Sequence, residues 1–206
     1  MDCVARPSAL YRFLAIFSQP VVRGLFRLDV RGLEHVPAGG FVLSANHTSN
    51  VDPWPLGIPV YPRWLRFMAK SELYWWPLGR LLSAAGAFPV RRGQKDAEAI
   101  ATAVRLAQEG NVVAMFPEGT RRTKGLVKRF EARPRSGAAR IALEAGVPLV
   151  PVAVKGTDKL TRLGRLSVAY GAPVEIDDLR RGDVAESAHA ATERLMEKIL
   201  ELEASL

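Results

Sequence analysis

Short apolar strands that alternate with helices of moderate length predict an α/β fold for this chain of 206 residues. Apolar runs bounded by glycine or proline, at 41–45, 111–116 and 148–154, have the composition of buried strands. The segments 94–109 and 137–145 carry apolar residues at helical spacing, and a glycine follows each. We therefore expect a single-domain sandwich with a largely parallel central sheet flanked by helices.

Composition and charge indicate an anionic partner but do not distinguish among the kinds of anionic partner. The chain is 48% hydrophobic and 24% charged, as in a globular protein, and its formal net charge is +8. This excess of basic residues favours an anionic partner: nucleic acid, a phosphorylated metabolite or an anionic membrane surface. Cys3 is the only cysteine, which excludes an internal disulfide, and the three histidines lack metal-ligand spacing. We predict no metal site.

The N-terminal segment 8–28 has the pattern of an amphipathic helix that Pro20 kinks or divides. Its aromatic and aliphatic residues are interspersed with arginines, so it either packs on the core or lies at a membrane interface. No uncharged run approaches the roughly 18 to 20 residues that span a bilayer. No signal-peptide pattern is present. We expect a protein of cytoplasmic chemistry.

The remaining elements are shorter. Strands are predicted at 28–33, 65–69, 87–90 and 166–170, and helices at 73–82 and 188–202. The stretch 53–62 is rich in proline and tryptophan, which excludes a long regular helix there. Its aromatic residues, with those near Trp75, either pack in the core, line an apolar groove or sit at a membrane interface.

The segment from Asn46 to Pro53 follows the strand 41–45 and carries the most suggestive pair of side chains. His47 stands at the end of the strand, and Asp52 follows five residues later. A carboxylate so placed can fix the tautomer of an imidazole that acts as a general base. An alternative interpretation is structural, because Asp52 before Pro53 is also a typical helix N-cap.

A second polar loop, Phe116–Arg121, follows another predicted buried strand. Arg121 can bind a phosphate bidentately, and Thr120 and the loop amides can donate further hydrogen bonds. Glu118 has the wrong sign for a phosphate ligand, so we expect it to hold Arg121 or a substrate hydroxyl. The alternative is an ordinary strand-to-helix turn. The basic residues that follow, among them Lys124, Lys128, Arg129, Arg133 and Arg135, form either a solvated face or an anion-binding surface.

The predicted parallel sheet would bring these groups together. In such sheets ligands bind beyond the carboxyl ends of the strands. His47, the pair Arg91–Arg92 and the loop 117–121 each come directly after a predicted strand. We therefore expect all three at one edge of the sheet.

Four sequence blocks within residues 40–154 resemble those of the glycerolipid acyltransferases, whose type member makes phosphatidic acid from lysophosphatidic acid. His47 to Asp52 is similar to their HxxxxD motif, and 86–92 resembles the second block with its substrate-binding arginine. Residues 116–121 read FPEGTR, the third block, and 147–152 resembles the fourth. The order and the spacing of the blocks make the resemblance specific.

The resemblance implies a role for each matching residue. His47 would be the general base and Asp52 its orienting group. The glycerol phosphate of the acceptor would be bound by Arg91, Glu118, Gly119, Thr120 and Arg121. The acyl donor would be acyl-CoA or acyl-carrier protein, with no cofactor, metal or enzyme nucleophile. The sequence departs from the family at Arg122, often serine, and at Pro134–Arg135, often Phe-Lys, where Arg135 is a candidate for the lysine's role.

The resemblance also implies a division of the chain. Residues 1–28 would be an amphipathic membrane-contact segment and 29–206 the acyltransferase domain, peripheral on the cytoplasmic face of the cell membrane. The expected partners are an anionic membrane surface, a lysophospholipid acceptor and the acyl donor. No nucleic-acid motif is present, and no nucleic-acid partner is predicted. Alternatives are another lysolipid acceptor, thioester hydrolysis and a membrane-binding module without catalysis.

Overall fold

The computed structural model describes residues 6–90, 97–118, 123–124, 128–129 and 134–206. The strands are β1 Asp29–Arg31, β2 Phe41–Ala45, β3 Leu65–Lys70, β4 Ala87–Val90, β5 Val112–Met115, β6 Thr123–Lys124, β7 Lys128–Arg129, β8 Leu149–Lys155 and β9 Ser167–Tyr170. The α-helices are α1 Ala9–Pro20, α2 Pro53–Gly57, α3 Leu78–Ala84, α4 Ala97–Gln108, α5 Gly137–Ala145 and α6 Val184–Ser205.

Within the described ranges, seven strands form one sheet in the order β1-β9-β8-β2-β5-β3-β4. The strands from β8 to β4 in this order are mutually parallel. Strand β9 runs antiparallel to β8, and β1 is parallel to β9. The prediction of a largely parallel sheet is therefore confirmed. The carboxyl ends of β8, β2 and β5, which are adjacent, lie at one edge.

Both faces of the sheet are covered. Successive side chains of β2 point to opposite faces of the sheet, and each face is packed. Phe41 and Leu43 pack into one apolar cluster and Val42 into the other. Helices α4, α5 and α6 cover the Val42 face, and α1 and α2 cover the opposite one. Burial of these side chains, each worth about 1.5–3 kcal/mol, stabilises the predicted α/β sandwich.

Local signals explain where several helices begin and end. Helix α5 ends at Gly146, which adopts φ +70°, a conformation favourable to glycine. Helix α6 begins at Val184, earlier than predicted, because the carboxylate of Asp183 accepts hydrogen bonds from the first amides of the helix. The predicted start of α3 at residue 73 is wrong. Pro77 has no N–H and disfavours helical backbone before it, and the helix begins at Leu78.

Helix α1 is fixed to the core at two points. Ser8 Oγ donates to the carbonyl of Ala84 at 2.6 Å, and the hydroxyl of Tyr11 accepts from the amide of Leu65 at 3.2 Å. Pro20 is the last α-helical residue, and a π-helical turn, Val21–Leu25, follows it. The predicted division at Pro20 is thus confirmed. Within the described ranges, no helix combines the length and apolar character that crossing a membrane requires.

The outer face of α1 leaves large apolar side chains in solvent. Phe13, Ile16 and Phe17 are exposed, and the rings of the two phenylalanines contact each other at a centroid distance of 4.3 Å. The inner face, through Tyr11 and Ala15, is buried against the sheet. The helix therefore packs on the core with one face and presents apolar surface with the other. Core packing describes the inner face, and membrane contact of the outer face stays a prediction.

Candidate active site

The site begins where β2 leaves the sheet, and Asn46 determines that point. Backbone pairing between β2 and β8 ends at Ala45 and Val152. The buried amide of Asn46 then donates to the carbonyl of Val154 at 2.9 Å and accepts from its N–H at 2.8 Å. This side chain continues the hydrogen bonding that the backbone of β2 gives up. The chain can therefore turn out of the sheet at His47 while its preceding residue stays fixed.

His47 and Asp52 are in direct contact. Nδ1 of His47 lies 2.8 Å from Oδ2 of Asp52, which also accepts from the amides of Thr48 and Ser49 at 2.9 Å each. Because amide N–H groups only donate, Oδ2 acts as an acceptor, and Nδ1 carries the proton. In the neutral imidazole the lone pair is then on Nε2. Nε2 is part of the His47 side chain, which is 15% exposed and therefore accessible to solvent.

The helix-cap interpretation of Asp52 is wrong. Helix α2 does begin at Pro53, but the carboxylate of Asp52 makes no capping hydrogen bond to it. The backbone of Asp52 is already helical, with φ −50° and ψ −38°. Its carboxylate turns back towards the preceding amides and His47 instead. A fully buried carboxylate needs such donors, because burying an unpaired charge is costly.

The second oxygen of Asp52 is held by hydroxyl groups. Oδ1 accepts from Thr157 Oγ1 at 2.5 Å and lies 3.3 Å from Thr48 Oγ1. The two hydroxyls are themselves 2.7 Å apart. Thr157 is the residue after Gly156, beyond the end of β8. Strands β2 and β8 together therefore provide the surroundings of this carboxylate.

Phe116, the residue after β5, packs against one face of the imidazole of His47. Its ring stacks on the imidazole of His47, with centroids 4.2 Å apart and an interplanar angle of 24°. The first residue of the predicted phosphate loop thus contacts the proposed base, as the parallel sheet predicts. Glu118, two residues on, is buried. The amide of Arg135 donates to the carbonyl of Pro117 at 2.7 Å, and the side chain of Arg135 is exposed.

Seven of the residues singled out for the site and its basic surroundings lie outside the described residues. They are Arg91 and Arg92 after β4, Gly119, Thr120 and Arg121 of the FPEGTR block, and Arg122 and Arg133 of the segment that follows it. Of the other predicted site residues, the structure brings His47 and Asp52 together and places Phe116 of the third block against them. The phosphate-binding role of the loop stays a prediction.

An apolar cavity of about 330 Å³ lies beside the His47–Asp52 loop. Its walls come from α1, the loop, α2 and β3, and include Leu14, Ala15, Val51, Trp54 and Phe67. Val51 and Pro53, both in the lining, flank Asp52 in the chain. The cavity therefore adjoins the loop that carries the proposed base, although neither His47 nor Asp52 is part of its lining.

A shallower depression of about 540 Å³ lies along α3. Tyr74, Trp75, Trp76 and Arg80 line it, and the two tryptophans are exposed at 61% and 76%. The aromatic residues that were predicted to pack in the core or line a groove therefore lie in two different places. Trp54 lines the cavity that adjoins the His47–Asp52 loop, whereas Trp75 and Trp76 face solvent.

Sequence interpretation missed the roles of Asn46, Phe116 and Thr157. Phe116 lies inside a recognised block and Asn46 directly precedes one, so a signal existed for both. Thr157 carried a weaker signal, a hydroxyl directly after a glycine that ends a buried strand. Its contact with Asp52 depends on the order of strands in the sheet.

Comparison with known proteins adds an independent observation. The chain is 33% identical over 205 residues to a 1-acyl-sn-glycerol-3-phosphate acyltransferase of Bacillus subtilis, covering 96% of this chain and 98% of that protein. It is 31% identical over 175 residues to the enzyme of the same name from Salmonella typhimurium, covering 80% and 69% of the two chains.

A solved structure has the same fold. The crystal structure of the 1-acyl-sn-glycerophosphate (LPA) acyltransferase PlsC from Thermotoga maritima superposes with a TM-score of 0.65 and 27% identity, over 94% of this chain and 80% of that one. A family model described as Acyltransferase matches residues 27–155. With the His47–Asp52 pair and the fold already described, these matches show that the chain belongs to the acyltransferase family.

Proposed function

We propose that this protein transfers a fatty acyl group from acyl-CoA or acyl-carrier protein to the free hydroxyl of 1-acylglycerol 3-phosphate, giving phosphatidic acid. The observation that carries the proposal is the hydrogen bond from Nδ1 of His47 to the buried carboxylate of Asp52, which puts the lone pair on Nε2. The names of the relatives in Bacillus and Salmonella support the same acceptor.

In the proposed reaction, Nε2 of His47 removes the proton from the acceptor hydroxyl as its oxygen attacks the thioester carbonyl. Asp52 stabilises the imidazolium that forms. Collapse of the tetrahedral intermediate breaks the carbon–sulfur bond, and the imidazolium returns the proton to the sulfur. The products are an ester and a neutral thiol, with no covalent bond to the enzyme. Such a base contributes about 10²- to 10⁴-fold to the rate.

The acceptor's glycerol phosphate is assigned in this proposal to the loops after β4 and β5. Arg91 and Arg121 would bind the phosphate, with the hydroxyl of Thr120 and the amide of Gly119 as further donors. Glu118 would hold a substrate hydroxyl or an arginine. Two observations support the assignment: Phe116, which begins the same loop, contacts His47, and Glu118 is buried nearby in the chain.

The apolar cavity beside the loop suits a fatty acyl chain. Its volume of about 330 Å³ is at the lower end of the range for small-molecule sites, about 300–1,000 Å³. Its lining includes Val51 and Pro53, the chain neighbours of Asp52, so a fatty chain held there would lie against the loop that carries His47. Ala15 and Gly57 keep the space open, since both are small residues in the wall.

We assign residues 1–28 to membrane contact and 29–206 to the acyltransferase domain, with the enzyme peripheral on the cytoplasmic face. The exposed side chains of Phe13, Ile16 and Phe17 support this assignment, as do the exposed arginines at 12, 23 and 27. Apolar side chains beside basic ones are typical of helices that lie in a membrane interface. An acceptor and an acyl donor that reside in or near the bilayer would then be within reach.

The test is an acyl-transfer assay with labelled acyl-CoA, with and without 1-acylglycerol 3-phosphate. We expect wild-type protein to form phosphatidic acid and His47→Ala to lose about 10²- to 10⁴-fold in rate. His189→Ala is the matched control, because His189 is an exposed histidine on α6 that pairs with Glu193. Equal rates for wild type and His47→Ala would refute the assignment of the base.

The same assay separates the alternatives. Thioester cleavage that does not depend on the acceptor would make the protein a hydrolase. Transfer to a different lysolipid in a parallel panel, but not to 1-acylglycerol 3-phosphate, would change the acceptor and keep the chemistry. Absence of both transfer and cleavage, with binding to anionic vesicles intact, would indicate a membrane-binding module without catalysis.

A further inference from the structure

We propose that Thr157 is a positioning residue for acyl transfer: its hydroxyl fixes the carboxylate of Asp52 and thereby aims the imidazole of His47. The inference rests on the proposed role of His47 as the base. Thr157 lies outside the four sequence blocks, and the match to the family model ends at residue 155. The inference therefore rests on the contact between Thr157 and Asp52 and not on a sequence pattern.

The hydroxyl protons can be assigned from the distances. Thr157 Oγ1 is 2.5 Å from Oδ1 of Asp52, and both residues are buried, at 2% and 0% exposure. A hydroxyl has one proton to donate, and the carboxylate can only accept. The proton of Thr157 is therefore used on Asp52, and its oxygen is left to accept from the hydroxyl of Thr48 at 2.7 Å. The result is a chain of donors that ends on the carboxylate.

These hydroxyl contacts restrict rotation of the Asp52 carboxylate about its terminal bond. A terminal bond between a tetrahedral carbon and a carboxylate has a broad rotational preference. Oδ2 is anchored by His47 and by the amides of Thr48 and Ser49. Thr157 makes the shorter of the two hydroxyl contacts to the opposite oxygen, Oδ1, at 2.5 Å against 3.3 Å from Thr48, and so fixes the plane of the carboxylate. Because Oδ2 directs Nδ1 of His47, the orientation of the imidazole follows from that plane.

Thr157 is positioned by the preceding turn, in which any residue other than Gly156 would clash with the backbone. Gly156 adopts φ +94°, and a side-chain carbon added there would lie 2.2 Å from the carbonyl oxygen of Arg165. The turn ends β8 abruptly and makes Thr157 the first residue of a 3₁₀ segment, Thr157–Arg162. Since β8 is the sheet neighbour of β2, that first residue arrives beside the loop of His47.

The kinetic test compares Thr157→Val, which removes the hydroxyl and keeps the shape, with Thr157→Ser, which keeps the hydroxyl. We expect Thr157→Val to lower kcat by about tenfold to 100-fold, because small misplacements of a catalytic group have effects of this size. The KM for acceptor and donor should change little, and Thr157→Ser should restore most of kcat. Thr192→Val is the matched control, since Thr192 is buried on α6 and donates to Ala188.

A double-substitution cycle tests whether Thr157 acts through Asp52. If it does, Thr157→Val in an Asp52→Asn background should reduce kcat little further, because the two changes disrupt one unit. Losses that multiply fully in the double variant would overturn the inference. Loss of kcat in Thr157→Ser as large as in Thr157→Val would also overturn it. Thr157→Ala serves in place of Thr157→Val if the valine variant fails to fold.

A spectroscopic measurement keeps the inference testable without activity. The chain has three histidines, so the Nδ1–H proton of His47 can be assigned in isotope-labelled protein by its loss in His47→Gln. We expect this signal to shift or broaden in Thr157→Val and to be retained in Thr157→Ser. An unchanged signal in Thr157→Val would overturn the inference. Absence of acyl transfer by wild type would instead overturn the proposed function, and the spectrum would still decide on Thr157.

Discussion

The imidazole of His47 stacks on the ring of Phe116, although the two residues follow different strands and are far apart in the chain. Asp52 fixes the imidazole through a hydrogen bond within its plane, at Nδ1. Phe116 limits motion perpendicular to that plane. The first and third sequence blocks thus meet in a single pair of rings.

Phe116→Leu should lower kcat by about 2- to 10-fold, because a stacked aromatic pair contributes about 0.5–1.5 kcal/mol beyond its buried area. Phe116→Tyr keeps the ring and should retain nearly full activity. Steady-state kinetics with 1-acylglycerol 3-phosphate measures both variants. Equal activity for wild type and the leucine variant would show that the stacking does not position the base.

Ala15→Leu should shift the preference towards shorter acyl chains. Ala15 is buried in the wall of the 330 Å³ cavity, and a larger side chain there would occupy part of the space proposed for the acyl group. The measurement is kcat/KM across a series of acyl-CoA lengths. Ala9→Leu, the same change at an exposed position of α1, is the control and should leave the preference unchanged. The same profile for both variants would place the acyl chain elsewhere.

Replacing Phe13 and Phe17 together with serine should weaken membrane binding by about tenfold or more, since burying a phenylalanine side chain contributes about 1.5–3 kcal/mol. Sedimentation with vesicles of equal parts phosphatidylglycerol and phosphatidylcholine measures it. The control replaces Leu33 and Leu200 with serine, because these leucines are also exposed but lie away from α1. Equal binding by the two double variants would remove the outer face of α1 from the membrane contact.

Tyr170 should make the fold sensitive to alkali. Burial raises the pKa of Tyr170, and its hydroxyl donates to the carbonyl of Leu56 at 2.8 Å. The unfolded-state pKa is about 10. The contribution of the neutral hydroxyl to stability is therefore fully present below about pH 10 and is lost as the pH rises towards the higher folded-state pKa.

The expected result is a fall in the free energy of unfolding above about pH 10, with a slope of up to about 1.4 kcal/mol per pH unit from this group. Tyr170→Phe should be less stable at neutral pH, because it lacks the hydrogen bond to Leu56, and should show a shallower alkaline slope. Urea unfolding at a series of pH values measures both effects. The same slope in the two proteins would assign the alkaline sensitivity to other groups.

Local patterns were sufficient to predict much of the fold. The bounds of β2, β4 and α5 follow from apolar runs and helical spacing punctuated by glycine, and the structure has them where the sequence predicts them. The late start of α3 also had a local cause, the proline at 77, which the prediction did not weigh correctly. The pair β6 and β7 was not predicted, because two residues per strand are too few to show alternation.

Only some of the contacts in the candidate site could be predicted from the sequence. The proximity of His47 and Asp52 was predictable because five residues separate them and one loop contains both. The contacts of Asp52 with Thr157 and of Asn46 with Val154 were not, because each joins residues more than a hundred positions apart. Both require β8 to lie next to β2, and neither periodicity nor composition specifies which strands are neighbours.

The amide of Asn46 has a mechanical consequence for the site. By taking the place of backbone groups opposite Val154, it makes the start of the His47–Asp52 loop part of the ladder between β2 and β8. We therefore expect the first residue of the loop to stay ordered for as long as the sheet stays intact. Heat should therefore abolish activity and global structure in one cooperative event, and the temperature of half-inactivation should coincide with Tm.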